Sequence, residues 1–127
     1  MYLAFNKQCD IGELVGVTLS EIKGLEAGSD AVTFAASDGR TWVMAHVQEC
    51  CECVDVNDVC GDVADLIGSP IISAEESSNS DQGAKNDYYD SYTWTFYRIQ
   101  TACGLVVIRW YGGSNGYYSE SVELYRG

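Results

Sequence analysis

The stretch Ser91–Tyr125 constrains the fold more than any other part of the chain, because three successive segments within it each carry a strand pattern. In the first, Tyr92, Trp94 and Phe96 alternate with Thr93, Thr95, Tyr97 and Ile99, which places the two sets on opposite faces of an extended segment. The second, Leu105–Tyr111, is almost wholly apolar. That composition predicts a central strand covered on both faces, with Gly104 supplying the turn before it. In the third, Tyr118, Val122 and Leu124 alternate with Ser119, Ser121 and Glu123 after the turn-rich run GGSNG. A chain built this way must bury one side of a sheet, so the remaining segments are expected to pack around it.

Upstream, Val15, Val17 and Leu19 keep a two-residue period until Ile22 shifts the phase, which predicts a strand with a bulge or bend near Ser20. Ser37-Asp38-Gly39-Arg40 separates two apolar arms, Ala31–Ala36 and Thr41–Gln48, and Asp-Gly between such arms is a hairpin signal. Trp42, Met44 and His46 then share one face of the second arm, with Val43, Ala45 and Val47 on the other. Val59, Val63, Leu66 and Ile67 recur at helical spacing after Asn57 or Asp58, so a short helix over Asp58–Ile67 is predicted, stopped by Gly68 and Pro70. Ile71–Glu76 reads as a further strand, and Ser77–Asp90, without apolar periodicity, as a surface loop. At 127 residues the chain is expected to form a single domain over residues 1–127. Its fold class is α+β: a predominantly antiparallel sheet of about six strands with one short helix packed on it.

Charge narrows the partners. Nineteen acidic residues against seven basic give a net charge of −12, which opposes binding to nucleic acid or to an anionic membrane and favours basic proteins. Most of it lies in His46–Asp90, with eleven acidic residues and Lys85 alone on the other side. MYLAFNKQCD lacks the basic start and apolar run of an export signal, so a cytoplasmic location is expected and the six cysteines are expected to be reduced.

Four groupings could carry chemistry. His46, Cys50, Cys51, Cys53 and Cys60 offer nitrogen and sulfur ligands for zinc, but the spacing is poor: structural sites usually draw on Cys-x-x-Cys knuckles, whereas Cys50-Cys51-x-Cys53 would send neighbouring side chains to opposite faces of an extended segment. A Cys–His nucleophile among them is opposed by Glu49, Glu52 and Asp55, which raise a thiol pKa. With one histidine in the chain, no enzyme activity, cofactor or metal is expected. Asp58, Asp62 and Asp65 fall three and four apart; on a helix their carboxylates would form a row about 5–6 Å apart. With Asp55, Glu75 and Glu76 they make a candidate partner-binding surface able to compete with nucleic acid for a basic groove. Finally, Arg98 and Arg109 with Tyr111, Tyr117 and Tyr118 could bind a nucleotide, arginine pairing with phosphate and the rings stacking on a base. The bland alternative for both arginines is cross-strand pairing with Glu120 or Glu123.

Glu49-Cys50-Cys51-Glu52, Gly61-Asp62, the run Asp65–Ile71 and Ala74-Glu75-Glu76 resemble a family of small bacteriophage and prophage proteins. So do Ser91–Tyr97, Ile108–Gly112 and Ser114–Val122, and the resemblance covers about residues 14 to 125. Cys53 and Cys60 depart from that pattern. The resemblance implies a viral source and carries no catalytic residue. By analogy with small acidic phage proteins it implies an inhibitor of a bacterial defence system, such as CRISPR, working in the host bacterial cytoplasm. The expected partner is a host defence protein with a basic surface, and a homodimer is compatible with this reading. The alternative is a sponge that sequesters a nucleotide immune signal through the Arg/Tyr-lined site.

Overall fold

Asp38 and Gly39 form the tight turn that the sequence announces. Gly39 has φ of +96°, a left-handed value that a residue without Cβ adopts freely. The Asp38 carboxylate accepts hydrogen bonds from the Arg40 main-chain N–H and from Arg40 Nε. The turn joins β3 (Ala31–Ala36) to β4 (Thr41–Ala45), with Phe34 opposite Trp42 and Val32 opposite Met44. The computed structural model describes residues 7–48, 51–82, 91–114 and 119–127.

Around this hairpin the described chain forms two antiparallel sheets. The remaining strands are β1 (Lys7–Cys9), β2 (Leu19–Lys23), β5 (Cys53–Cys60), β6 (Ile71–Gln82), β7 (Ser91–Thr101), β8 (Gly104–Ser114) and β9 (Glu123–Arg126). One sheet has the order β1-β9-β4-β3-β2 and the other β5-β8-β7-β6. The inner faces share one core in which Trp42, Phe34 and Met44 meet Trp110, Tyr97 and Ile108. Two hydrogen bonds join the sheets across it: Trp110 Nε1 donates to Met44 Sδ at 3.3 Å, and Tyr97 Oη donates to the Val122 carbonyl at 2.9 Å. The bulge near Ser20 is present, as a register shift between Leu19 and Glu21. Residues 15–18 precede β2 and are not in a strand.

The domain is mainly antiparallel sheet, and among the described residues the only helical pieces are 3₁₀ turns at Ile11–Leu14 and Val63–Leu66. The helix expected over Asp58–Ile67 does not form. Val54 and Val56 are buried in alternation with exposed Cys53, Asp55 and Asn57, so the segment pairs with β8 as β5, interrupted by a bulge between Val56 and Asp58. Gly61 then has φ of +113°, and a Cβ there would lie 2.4 Å from the Leu105 carbonyl oxygen. The helical spacing of Val59, Val63 and Leu66 therefore belongs to a strand end followed by a single turn.

Two further expectations are corrected. Ser77–Gln82, read as loop, continues β6 in unbroken register with β7; polar side chains suffice because the main-chain ladder supplies the pairing. Residues 83–90 of that predicted loop lie outside the described residues. The third segment of the C-terminal region is no neighbour of β8: β9 crosses to the other sheet and lies between β1 and β4. Before it, residues 119–122 are held by side chains instead of a ladder. Thr93 and Ser114 hydroxyls donate to the buried Glu120 carboxylate, and His46 Nδ1 donates to the Ser121 carbonyl at 2.7 Å. β8 is central as expected, yet covered on one face only: Val106, Ile108 and Trp110 are buried, whereas Leu105 is 46% exposed.

Candidate functional site

The outer face of the four-stranded sheet collects Asp55, Asp58, Glu75, Arg98, Arg109 and Tyr111 from among the residues singled out by sequence. Thr95, Tyr97 and Ile99 of β7 are buried, so the alternate set Tyr92, Trp94, Phe96 and Arg98 stands on the opposite side. Directly paired residues of neighbouring strands share a face, and the register gives three rows across it. Asn79, Trp94, Tyr111 and Asp55 form one; Ser77, Phe96, Arg109 and Asp58 the next; Glu75, Arg98, Val107 and Cys60 the third. Aromatic and cationic side chains thus occupy the two central strands. Carboxylates stand on both borders, three strand spacings or roughly 14 Å apart.

The central strip is tightly knit. Trp94 and Tyr111 meet edge to face with centroids 4.8 Å apart, and Tyr92 stacks near Tyr111 at 6.2 Å. The Arg109 guanidinium lies 5.1 Å from the Trp94 ring, and that of Arg98 5.8 Å from Phe96, within cation–π range. Arg109 also donates twice to Asn57 Oδ1, at 2.9 and 2.6 Å, and approaches Asp58 Oδ2 at 3.8 Å. Arg98 donates to Ser77 Oγ at 3.2 Å. The alternative weighed for these arginines, pairing with Glu120 or Glu123, is not made among the described residues; Glu120 is buried with Thr93 and Ser114, and Glu123 accepts from Gln8 Nε2. Tyr117 and Tyr118 lie outside the described residues.

The acidic candidates do not make a single row. Asp55 and Asp58 stand on β5 at one border of the face and Glu75 on β6 at the other. Glu76, paired with Tyr97, belongs to the opposite face of its strand. Asp62 caps the second 3₁₀ turn by accepting the Ala64 N–H, and Asp65 sits within that turn against Gly104. Loss of the helix is the reason: the three- and four-residue spacing aligns carboxylates only where the backbone coils. Burial and the neighbouring Asp30 push the Asp55 carboxyl above its ordinary range, and burial does the same to Glu76.

The proposed zinc ligands are kept apart. Cys53 and Cys60 begin and end β5, about 23 Å apart along an extended strand. Both ring nitrogens of His46 are engaged, Nδ1 by Ser121 and Nε2 by Glu52 Oε2, each at 2.7 Å. Cys51 is disulfide-bonded, contrary to the reduced state expected of all six cysteines, while Cys9, Cys53, Cys60 and Cys103 are free. Cys50 lies outside the described residues. No cluster of three or more His, Cys, Asp or Glu suited to a metal occurs among the described residues, and none of their helices is long and apolar enough to cross a membrane.

Sequence reasoning overlooked Tyr92, Trp94 and Phe96 as surface residues. Their alternation was visible; which of the two faces would be buried was not, because Thr93, Thr95, Tyr97 and Ile99 are no more apolar than the aromatic set. Neither a curated protein nor a solved structure matches the chain significantly. A family model does match, over residues 12–124, and by that match the chain belongs to the family described as Domain of unknown function (DUF7448).

Proposed function

We propose that this protein is a non-catalytic, phage-encoded inhibitor that binds a basic, nucleic-acid-binding groove of a bacterial defence protein, such as a CRISPR component, in the host cytoplasm. The observation that carries this reading is the acid-bordered outer face of the four-stranded sheet, with Asp55 and Asp58 on one side and Glu75 on the other. Burial, and after it the neighbouring Asp30, push the Asp55 carboxyl above its ordinary range. Crowding of like charges is unfavourable to the isolated fold, and a cationic partner relieves it. Between the borders, Trp94, Phe96 and Tyr111 supply the aromatic centre that protein interfaces favour.

The test is capture of bacterial proteins on the immobilised chain, with the D55N/D58N/E75Q variant in parallel. Captured protein should be released by added DNA and by raising salt from about 0.1 M to about 1 M, where screening shortens from roughly 10 to 3 Å. Capture that is indifferent to DNA and to the three substitutions would sink the proposal.

A second reading rests on one observation: Arg98, Arg109 and Tyr111 share that same face. In it the chain sequesters a nucleotide immune signal. Against it stand the engagement of Arg109 by Asn57 and Asp58 and the repulsion of phosphates by a net charge of −12. Thermal stabilisation by a nucleotide second messenger, abolished by Arg109→Ala, would favour this reading over the first.

A further inference from the structure

Two sheets have four edge strands, and in this fold three of the four are blunted. β1 is three residues long and β2 five, the latter bulged and ending on Lys23. β5 is bulged, and its main chain is bonded from the outside: Val56 accepts from the Gly28 N–H and donates to the Ser29 carbonyl, both at 2.7 Å. β6 differs. It is twelve residues long, contains no Pro, Lys or Arg, and after a bulge confined to its start, between Ile71 and Ser73, runs without a register shift to Gln82. Short length, bulges, lysine and covering segments are the devices by which edge strands avoid recruiting another strand. Among the described residues, main-chain bonds from outside reach β6 at Ile71 alone, from the Gly16–Val17 segment, and the Ile11–Leu14 turn packs beside the strand.

Beside the middle of this edge runs an open groove of about 710 Å³, walled by Asp10 and Ile11 on one side and by Ala74–Ser78 with Arg98 on the other. We infer that the groove is a strand-addition site: an extended, basic segment of a partner protein pairs main chain to main chain with β6 along Ala74–Ser78. Such augmentation draws affinity from the ladder and selectivity from side chains at alternate positions. Charge chooses the occupant. Asp10, Glu75 and Glu76 outnumber Arg98, which stands opposite Glu75 in the ladder and donates to Ser77 Oγ. A lysine- or arginine-bearing strand would sit among them. A second copy would bring an equally acidic β6 against the first, so self-pairing is disfavoured. The inference rests on the reading of the chain as a binder of basic proteins, and adds how the partner is held.

The probe is a fluorescein-labelled heptapeptide of alternating Lys and Val, compared with one N-methylated at alternate amides and with a Glu/Val counterpart. N-methylation removes main-chain donors from the ligand and leaves the protein untouched. Anisotropy should show binding of the Lys/Val peptide, weakened at least about tenfold by N-methylation, because each main-chain bond lost contributes a factor of a few. Amide shifts in NMR spectra should centre on Ala74–Ser78. Salt-sensitive binding that tolerates N-methylation overturns strand addition and leaves the acidic-surface reading standing. Equal binding of the Glu/Val peptide overturns the charge argument, and no binding of the Lys/Val peptide at low salt overturns both. A dimer in sedimentation velocity whose contacts map to β6 would name a second copy as the occupant and refute the proposal.

Discussion

Glu52→Ala tests a polar contact enclosed within the fold. The His46 and Glu52 side chains retain 4% and 0% of their surface, with Nε2 2.7 Å from the carboxylate. Ser121 offers a carbonyl to Nδ1, and a carbonyl only accepts, so Nδ1 carries a proton; Nε2 and the carboxylate share one more. Removing the carboxylate leaves the imidazole buried with one nitrogen unanswered. That costs about 3–5 kcal/mol if the pair is ionised and about 1–3 if it is a neutral hydrogen bond. Glu52→Gln keeps the shape and lets an amide N–H donate to Nε2 of a neutral ring, so its cost is about 1 kcal/mol. The Gln48 side chain donates to the Glu52 main-chain carbonyl, a contact both variants keep. In urea, at a slope of about 2 kcal/mol/M, the alanine variant should unfold roughly 1.5–2.5 M earlier if the pair is ionised and roughly 0.5–1.5 M earlier if it is neutral, and the glutamine variant about 0.5 M earlier. Equal losses in the two, or an alanine loss under about 1 kcal/mol, would refute the argument, since it requires an enclosed partner that an amide can replace.

Three other outcomes follow from local geometry. Gly61→Ala should destabilise by about 2 kcal/mol or more, given the positive φ and the clash with Leu105; a helical Asp58–Ile67 would instead gain about 1 kcal/mol from the same change, so the sign of the shift in melting temperature decides. Tyr97→Phe should cost about 1 kcal/mol at neutral pH, by leaving the Val122 carbonyl without its donor. Burial and Glu76 push the Tyr97 hydroxyl above its ordinary value, so its contribution is whole below about pH 10 and fades above it as the unfolded chain ionises first. Denaturation at pH 7 and above pH 10 should therefore show the deficit of the Phe variant shrinking. Burial and Glu13 push the Cys9 thiol up to about 11, so mass-resolved labelling at neutral pH should find it slower to react than the exposed Cys53, Cys60 and Cys103.

Local patterns in the sequence carried through to the fold wherever neighbours along the chain decided the outcome. Asp38-Gly39 turned where its backbone preference requires, and the phase break at Ser20 became a bulge. The alternation of Tyr92–Ile99 kept its parity. What failed was decided at long range. Val59, Val63 and Leu66 fit a helix by spacing, yet β8 offered Val54 and Val56 a ladder that a helix could not use, and the Leu105 carbonyl fills the space a Cβ at residue 61 would need. The serine-rich end of β6, Ser77–Gln82, has no apolar signature, since its order comes from six cross-strand partners on β7. The candidate site was partly legible for the same reason: the residue types were right, while Asp55 and Glu75, close in sequence, stand on opposite borders because two strands intervene.

The position of β9 has a consequence for how the protein is made. Its four residues fill a slot between β1 and β4, pairing Arg126 with both Lys7 and Trp42. On the ribosome β4 emerges long before β9, so the edge of β4, whose run 42–45 is buried in the finished core, waits unpaired until β9 follows. Closing a loop of that span is slow, and an apolar edge left open meanwhile invites pairing between nascent chains. Deleting β9 should therefore send the product to aggregates, whereas a rearranged chain that delivers β9 early should shorten the vulnerable interval.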